Sequence, residues 1–266
     1  MGPAYVPVPA RPVGELTHNV LMARTYLDPS PLPGPGQWAD QDLVALTVGM
    51  DAPLVLRAYV NGMFPMPIAD EVSDELPPAD WIGWFSPVRR GILPLDGLRV
   101  PRSLRKSARH FEVTVDRDFP AVLAACGGQD REGGWIDEGI VAVYTELHRA
   151  GRAHSVEAWT PDGQLAGGLY GIGYGGLFAG ESMFHDPRVG RDASKVALMG
   201  LVAMLRAGGH PERRLLDVQW RTEHLASLGV VEVPRTEYLA RLRRALALPQ
   251  PRWAMPPDWR TASLGQ

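Results

Sequence analysis

Apolar and polar positions alternate most clearly between His154 and Gly180, and the period then changes. His154 to Trp159 alternates as a strand does, with side chains on two faces. Pro161-Asp162-Gly163 is a turn: Pro presets φ and Gly accepts a positive φ. Leu165 to Gly171 reads as the return strand and Gly176 to Phe184 as a third. From Ala193 the spacing becomes helical, with Val196, Leu198, Met199, Leu201, Val202, Met204 and Leu205 forming an apolar face. Asp192 or Ser194 can cap that helix, and Gly208-Gly209 can end it.

The same reading extends to both sides. Leu43 to Met63 is expected to begin as a helix, with a second helical segment ending at Gly62 and Pro65. Met63 to Pro67 reads as an irregular apolar corner and Glu71 to Asp80 as an acidic loop. Trp81 to Leu95 reads as a strand, with a domain boundary near Leu95 to Val100. Strands are expected at Phe111 to Val115 and Arg214 to Gln219. Helices are expected at Pro101 to His110, Phe119 to Ala125, Asp137 to Ala150, Thr222 to Leu228 and Pro234 to Leu246. The Asp137 helix would turn Ile140, Val141, Tyr144, Leu147 and His148 inward. This order gives a mixed α/β fold whose sheet is largely antiparallel. The chain divides into a proline-rich leader (1–36), a small N-terminal domain (37–97), a larger domain (98–248) and a loose tail (249–266).

Composition narrows the class. At 266 residues and 45% apolar content, the chain can build a sizeable core. Cys126 is its single cysteine, which excludes a disulfide framework and a cysteine-based zinc site, and suits the reducing cytoplasm. No signal-peptide core stands near Met1, and no apolar run reaches membrane-spanning length. Net charge is only −3, but it is unevenly spread. Residues 36–82 hold eight acids against Arg57, whereas residues 88–117 hold eight bases against three acids. Within the basic stretch, Arg102, Arg105, Lys106 and Arg109 fall at i, i+3, i+4 and i+7, one helix face. Four cations with no interleaved acid form either a solvated face or a phosphate-contacting one.

Several motifs fail on context. Gly171-Ile-Gly173-Tyr-Gly175-Gly176 fits a dinucleotide fingerprint, but a strand-like segment follows where a helix is needed. Gly180-Glu181-Ser182 lacks the closing glycine of a nucleophile elbow. No ATP-type phosphate loop occurs, and the histidines lack ligand spacing; His148 and His154 read as packed groups. Two oddities remain. Seven glycines crowd residues 167–180, and the carboxylate of Glu181 sits among Phe178, Met183 and Phe184. A carboxylate in apolar surroundings must be paired or used.

Taken in order, eleven short motifs resemble the bacterial leucyl/phenylalanyl-tRNA–protein transferase family. They include Tyr59-Val-Asn-Gly62-Met-Phe64-Pro65, Trp84-Phe-Ser-Pro87, Arg90-Gly-Ile-Leu-Pro94, Trp135-Ile136, Gly180-Glu-Ser-Met-Phe184 and Leu216-Asp-Val-Gln219. The resemblance covers roughly Leu43 to Leu242. It implies a small N-terminal domain followed by a domain similar to the GNAT acyltransferases. It implies transfer of leucine, phenylalanine or methionine from an aminoacyl-tRNA to proteins with N-terminal Arg or Lys, marking them for degradation. No cofactor or metal is implied, because the aminoacyl ester is already activated, and a monomer is expected. By the same resemblance, Asp217 and Gln219 are the catalytic pair, with Asp217 polarising Gln219, and Glu181 meets the cationic acceptor. Leu169, Phe178, Met183, Leu198 and Leu216 would form the donor side-chain pocket, with the glycines at 171–176 admitting the donor's backbone. Trp84, Trp135 and Met66 would wall that pocket or face the terminal adenosine, Met66 standing where the family usually has Trp. Arg102, Arg105, Lys106 and Arg109 would carry the tRNA. The rival readings are a GNAT-type N-acetyltransferase, whose pyrophosphate loop Arg188-Val-Gly190-Arg-Asp-Ala does not reproduce, and a noncatalytic tRNA-binding protein.

Overall fold

The computed structural model describes residues 24–26, 32–68, 81–127 and 138–262. Two sheets organise them. The smaller has the order β1 (Arg24–Tyr26), β2 (Leu43–Val48), β4 (Trp81–Phe85), β3 (Phe64–Pro67). The larger has seven strands in the order β11 (Val231–Pro234), β5 (Arg89–Ile92), β10 (Leu215–Asp217), β9 (Leu177–His185), β8 (Leu165–Tyr174), β7 (Ala153–Trp159), β6 (Glu112–Val115). All its neighbours are antiparallel except β9 and β10. The fold is therefore mixed α+β.

The N-terminal part departs from the sequence reading. Leu43–Val48 is a strand, not the start of a helix, and its first five side chains are buried. An apolar run enclosed on both faces loses the alternation that marks a strand. Helix α1 begins only at Ala52 (Ala52–Val60), where Asp51 accepts from the Leu54 N–H at 2.7 Å and Pro53 occupies the first turn. Phe64–Pro67, expected as an irregular corner, is the edge strand β3; an edge tolerates its two prolines. The single strand expected at Trp81–Leu95 is two strands in different sheets. Pro87 lies between them, and the chain changes sheet at residues 86–88. Arg24–Tyr26, inside the proline-rich leader, pairs parallel with β2. The rest of residues 1–31 and the acidic loop at 71–80 lie outside the described residues.

The large sheet carries a core on each face. On one face lies α5 (Ala193–Ala207), buried nearly all round, as a helix central to a core must be. Basic helix α2 (Arg102–Ser107) with its 3-10 turn Ala108–His110 flanks it. On the other face lie α1, α3 (Phe119–Cys126), α4 (Glu138–Arg149) and α7 (Arg235–Leu246). In α4, Ile140, Val143, Tyr144 and Leu147 are buried, while Val141 is exposed, correcting its expected inward placement. Val141 sits one position from Ile140, about 100° around the helix. The expected strand at Arg214–Gln219 shortens to Leu215–Asp217, and α6 (Glu223–Ser227) follows it.

The tail from Pro249 to Ala262 is packed rather than loose. Trp259, in α8 (Trp259–Ala262), is buried against the α5 core. Arg260 donates from Nε to the Ala108 carbonyl at 3.2 Å and from Nη2 to the Phe111 carbonyl at 3.0 Å. The Trp253 ring stacks on His154 at 3.6 Å. His154 in turn is hydrogen-bonded through Nδ1 to Asp116 Oδ2 at 2.7 Å, a packed histidine as expected.

Candidate active site

Strands β9 and β10 build the site by separating. They pair in parallel only over Leu215↔Leu177, Leu216↔Phe178 and Asp217↔Ala179, after which β9 continues to His185 without this neighbour. The chain leaves β10 toward β5: the Gly91 N–H donates to the Gln219 carbonyl at 2.8 Å and the Val218 N–H to the Gly91 carbonyl at 3.0 Å. A split therefore opens beside Gly180 and Glu181.

Glu181 owes its direction to an irregularity. Gly171 pairs with Gly180 and Tyr170 with Ser182, so Glu181 is the extra residue of a bulge on β9. A bulge re-aims one side chain without ending the ladder. The half-buried carboxylate turns toward the α1/α4 face. Tyr144 Oη donates to its Oε2 at 3.0 Å, and the Gln219 side-chain amide donates to its Oε1 at 3.1 Å. Tyr59 Oη lies 2.9 Å from Tyr144 Oη. Each phenol has one proton, so with Tyr144 donating to Glu181, Tyr59 donates to Tyr144. Burial pushes the Glu181 carboxyl up to about 7; the neighbouring Tyr59 and Tyr144 hydroxyls oppose this, the Asp217 charge adds to it and Arg90 counters it. Burial holds both tyrosines well above their usual range, so they remain protonated donors.

Asp217 occupies a different setting. It is fully enclosed with Arg90, whose Nε and Nη2 meet Oδ1 and Oδ2 at 2.8 and 2.6 Å. Tyr238 Oη donates to Oδ2 at 2.8 Å, and the Gln219 backbone N–H donates to Oδ1 at 3.0 Å. Burial lowers the Arg90 pKa, but the Asp217 charge outweighs it, and the net shift is upward. The guanidinium also lies over the Phe64 and Tyr238 rings. Gln219 stands at φ +58°, a left-handed conformation that only a surrounding structure maintains in a non-glycine residue. The turn at Gln219 therefore takes this residue off the strand face on which Asp217 lies. Asp217 holds the Gln219 backbone, while the Gln219 side chain reaches Glu181; the expected polarisation of the amide by Asp217 is replaced by this arrangement.

The five apolar positions lie on the other face of the sheet. Leu169, Phe178, Leu198 and Leu216 are buried in the α5-side core, and half-buried Met183 packs against them. Leu216 and Asp217 are consecutive strand residues, so the apolar set and the carboxylate set face opposite ways, with the split between them. The glycines at 171–176 are not open to a ligand. A Cβ at Gly171 would collide with the Ala179 carbonyl and the Phe178 ring, and one at Gly173 with Trp253. Gly180 is the roomy position: a Cβ there would meet only the Asp217 carbonyl oxygen, at 3.7 Å, and the Phe178 ring, at 4.0 Å.

Other expected positions separate. Trp84 has no exposed surface, and its Nε1 donates to Thr47 Oγ1 at 2.9 Å, so it offers no face for a stacked base. Met66 is half-buried on β3. Trp135 lies outside the described residues. Arg102, Arg105, Lys106 and Arg109 are exposed, opposite buried Leu104 and Ala108. The sequence reading missed Arg90, Tyr59, Tyr144 and Tyr238 as members of the polar centre. One signal was available: an inward-facing tyrosine needs a partner for its hydroxyl.

Fold and site together define a mixed α+β enzyme with a carboxylate–amide centre on one face of its large sheet and an apolar core on the other. Comparison with known proteins supplies the particular family. Residues 92–243 match the model of the leucyl/phenylalanyl-tRNA protein transferase family. Proteins named leucyl/phenylalanyl-tRNA–protein transferase are similar over most of the chain. One from Rhizorhabdus wittichii is 50% identical over 203 residues, 75% of this chain and 76% of its own. One from Salinibacter ruber is 48% identical over 208 residues, 77% of this chain and 81% of its own. One from Paramagnetospirillum magneticum is 46% identical over 202 residues, 74% of this chain and 90% of its own. The chain belongs to this family.

Proposed function

We propose that the Glu181–Gln219 centre is where this chain, an aminoacyltransferase by family, transfers an aminoacyl group from tRNA to a protein N-terminus. The donor is leucyl-, phenylalanyl- or methionyl-tRNA, and the acceptor begins with Arg or Lys. The observation that carries the reading is the Glu181 carboxylate, poised near 7 and hydrogen-bonded to the Gln219 amide at the mouth of the split.

The reaction is ester aminolysis. An α-ammonium, with pKa of about 7.7–8.0, must lose a proton before it attacks. Glu181 accepts that proton; a base matched to neutral pH serves better than an ordinary carboxylate. The free amine attacks the aminoacyl carbonyl, a C–N bond forms, and the ester C–O bond breaks. The proton held by Glu181 passes to the departing ribose oxygen, and the second proton that the attacking nitrogen sheds on becoming an amide is then taken up by Glu181 and released to solvent. Gln219 orients the amine, and Asp217 fixes Gln219 through its backbone N–H. Asp217 is thus a positioning residue, with Arg90 and Tyr238 filling its remaining acceptor sites. The donor side chain enters the apolar set around Phe178 and Leu216, where Met183 can adjust to several shapes. Such a pocket separates side chains differing by one methylene by only about 1–3 kcal/mol, which suits a family that takes more than one donor. The exposed cations of α2 and its 3-10 turn hold the tRNA backbone. No helix among the described residues is long and apolar enough to cross a membrane; the proposed setting is the cytoplasm.

The test is transfer of labelled leucine from Leu-tRNA to peptides beginning with Arg or with Ala, without ATP or coenzyme A. Incorporation into the Arg peptide alone is expected. Incorporation into neither peptide while tRNA still binds would favour the noncatalytic reading.

A further inference from the structure

A second cationic surface lies beside the site. An open cavity of about 630 Å³ is lined by Arg89, Arg99 and Arg221, with Glu223 and Glu232 on its wall. All five side chains belong to exposed residues. Arg89 stands at the start of β5 next to buried Arg90, so the two point to opposite faces. Arg221 follows Gln219 by two positions. Arg99 precedes α2 by three positions, and Arg105 of that helix folds back to donate to the Val100 carbonyl at 3.2 Å. Along the chain, the lining thus adjoins the basic helix through Arg99 and the Gln219 turn through Arg221. Glu232 pairs only at long range with Arg89, Oε2 to Nε at 4.0 Å, and Arg99 and Arg221 have no ion pair among the described residues, so the three arginines and two acids of the lining leave a positive surplus.

We propose that this cavity binds phosphodiester groups of the donor tRNA between its body, on α2, and its aminoacylated end, in the split. The inference rests on the proposed function for the identity of the RNA. Its physical basis is the surplus of arginines over acids, the fork geometry with which a guanidinium meets phosphate, and the contiguity of Arg99 with Arg102 and Arg105. A cavity of this volume admits a ligand the size of one or two nucleotides.

Binding of deacylated leucine tRNA is measured by filter retention over a salt series, for the wild type, R99A/R221A and E223Q. Matched melting temperatures establish that the variants are folded. The double substitution is expected to raise the Kd roughly tenfold near 0.1 M salt. It should also flatten the log Kd–log salt slope by about 1–2, since each phosphate contact contributes about 0.7–0.9. E223Q should tighten binding. An unchanged Kd and slope in R99A/R221A overturns the proposal. So does an unchanged tRNA Kd with a raised KM for the acceptor peptide, which would assign the cavity to acidic acceptors. A wild type that shows the slope change on R99A/R221A but transfers no leucine leaves the phosphate site standing and refutes the functional reading instead.

Discussion

Replacing Asp217 with alanine tests whether this residue acts through structure or through chemistry. The carboxylate accepts from Arg90 Nε and Nη2, Tyr238 Oη and the Gln219 N–H, and neither Asp217 nor Arg90 has any exposed side-chain surface. Removing it leaves a buried guanidinium without a counter-charge, which costs about 3–5 kcal/mol. For a chain near this size, each kcal/mol lowers Tm by about 2–4 °C, so a drop of about 6–20 °C is expected in a melting experiment. Removing both charges is a different perturbation: R90M/D217L should lose less stability than either single substitution, because no unpaired ion remains. Activity falls for a second reason. The Gln219 turn, at φ +58°, loses the acceptor for its N–H, and its amide then drifts from Glu181. Misplacement by about 1 Å can cost on the order of a hundredfold in rate. Transfer by D217A should therefore fall at least tenfold even at a temperature where the variant is folded, and R90M/D217L should recover stability without recovering transfer. A D217A protein that melts within a degree of wild type yet transfers nothing would refute this reasoning and restore a direct chemical role for the carboxylate.

Five further substitutions probe separate parts of the structure. Glu181 has an ordinary value of 4.5 and a folded value of about 7, so between these the native state holds a proton that the unfolded chain releases. Stability then falls as pH rises across that window, and E181Q should remove the slope seen in urea melts at pH 5, 6 and 7. With Glu181 as proton acceptor, kcat/KM should rise through about pH 7; Y144F, which deletes a hydrogen bond that lowers the Glu181 pKa, should move that limb upward. W259A, emptying a buried site under α5, should cost about 3–5 kcal/mol in denaturant unfolding, whereas a truly loose tail would tolerate it. G171A and G180A should diverge: the first collides with the Ala179 carbonyl and lowers Tm, while the second leaves Tm intact and lowers transfer by placing a methyl in the split.

Much of the large sheet was legible because its central hairpins alternate and its long helix keeps one apolar stripe. β7, β8, β9 and α5 fall where period and turn residues place them. The failures have local causes. β2 is enclosed on both faces, which erases alternation. The tail is rich in proline and charge, yet Trp253 and Trp259 anchor it, and two widely spaced aromatics carry no period. Glycine density suggested an open backbone, but four of those glycines make room for protein: Gly171 for Phe178, Gly173 for Trp253, Gly175 and Gly176 for the chain end of α7. The site was legible only in its acids and amide. Arg90 and Asp217 are 127 positions apart and Tyr59 and Tyr144 are 85 apart, so no local spacing could connect them.

The two carboxylates illustrate how one sheet gives the same functional group two settings. Asp217 sits where the ladder is intact, at the last residue of β10, and meets a permanent cation with four donors aimed at it. Such a group holds its surroundings still. Glu181 sits where the ladder is broken, on the bulge, and meets only neutral donors, a phenol and an amide. Neutral donors stabilise the anion less than a guanidinium does, so desolvation prevails and the proton becomes exchangeable near neutral pH. Gln219 couples the two, bonded to Asp217 through its backbone and to Glu181 through its side chain. A substrate amine that displaces the amide from Glu181 therefore leaves the turn itself in place, because that turn is tied to the buried ion pair and not to the titrating group.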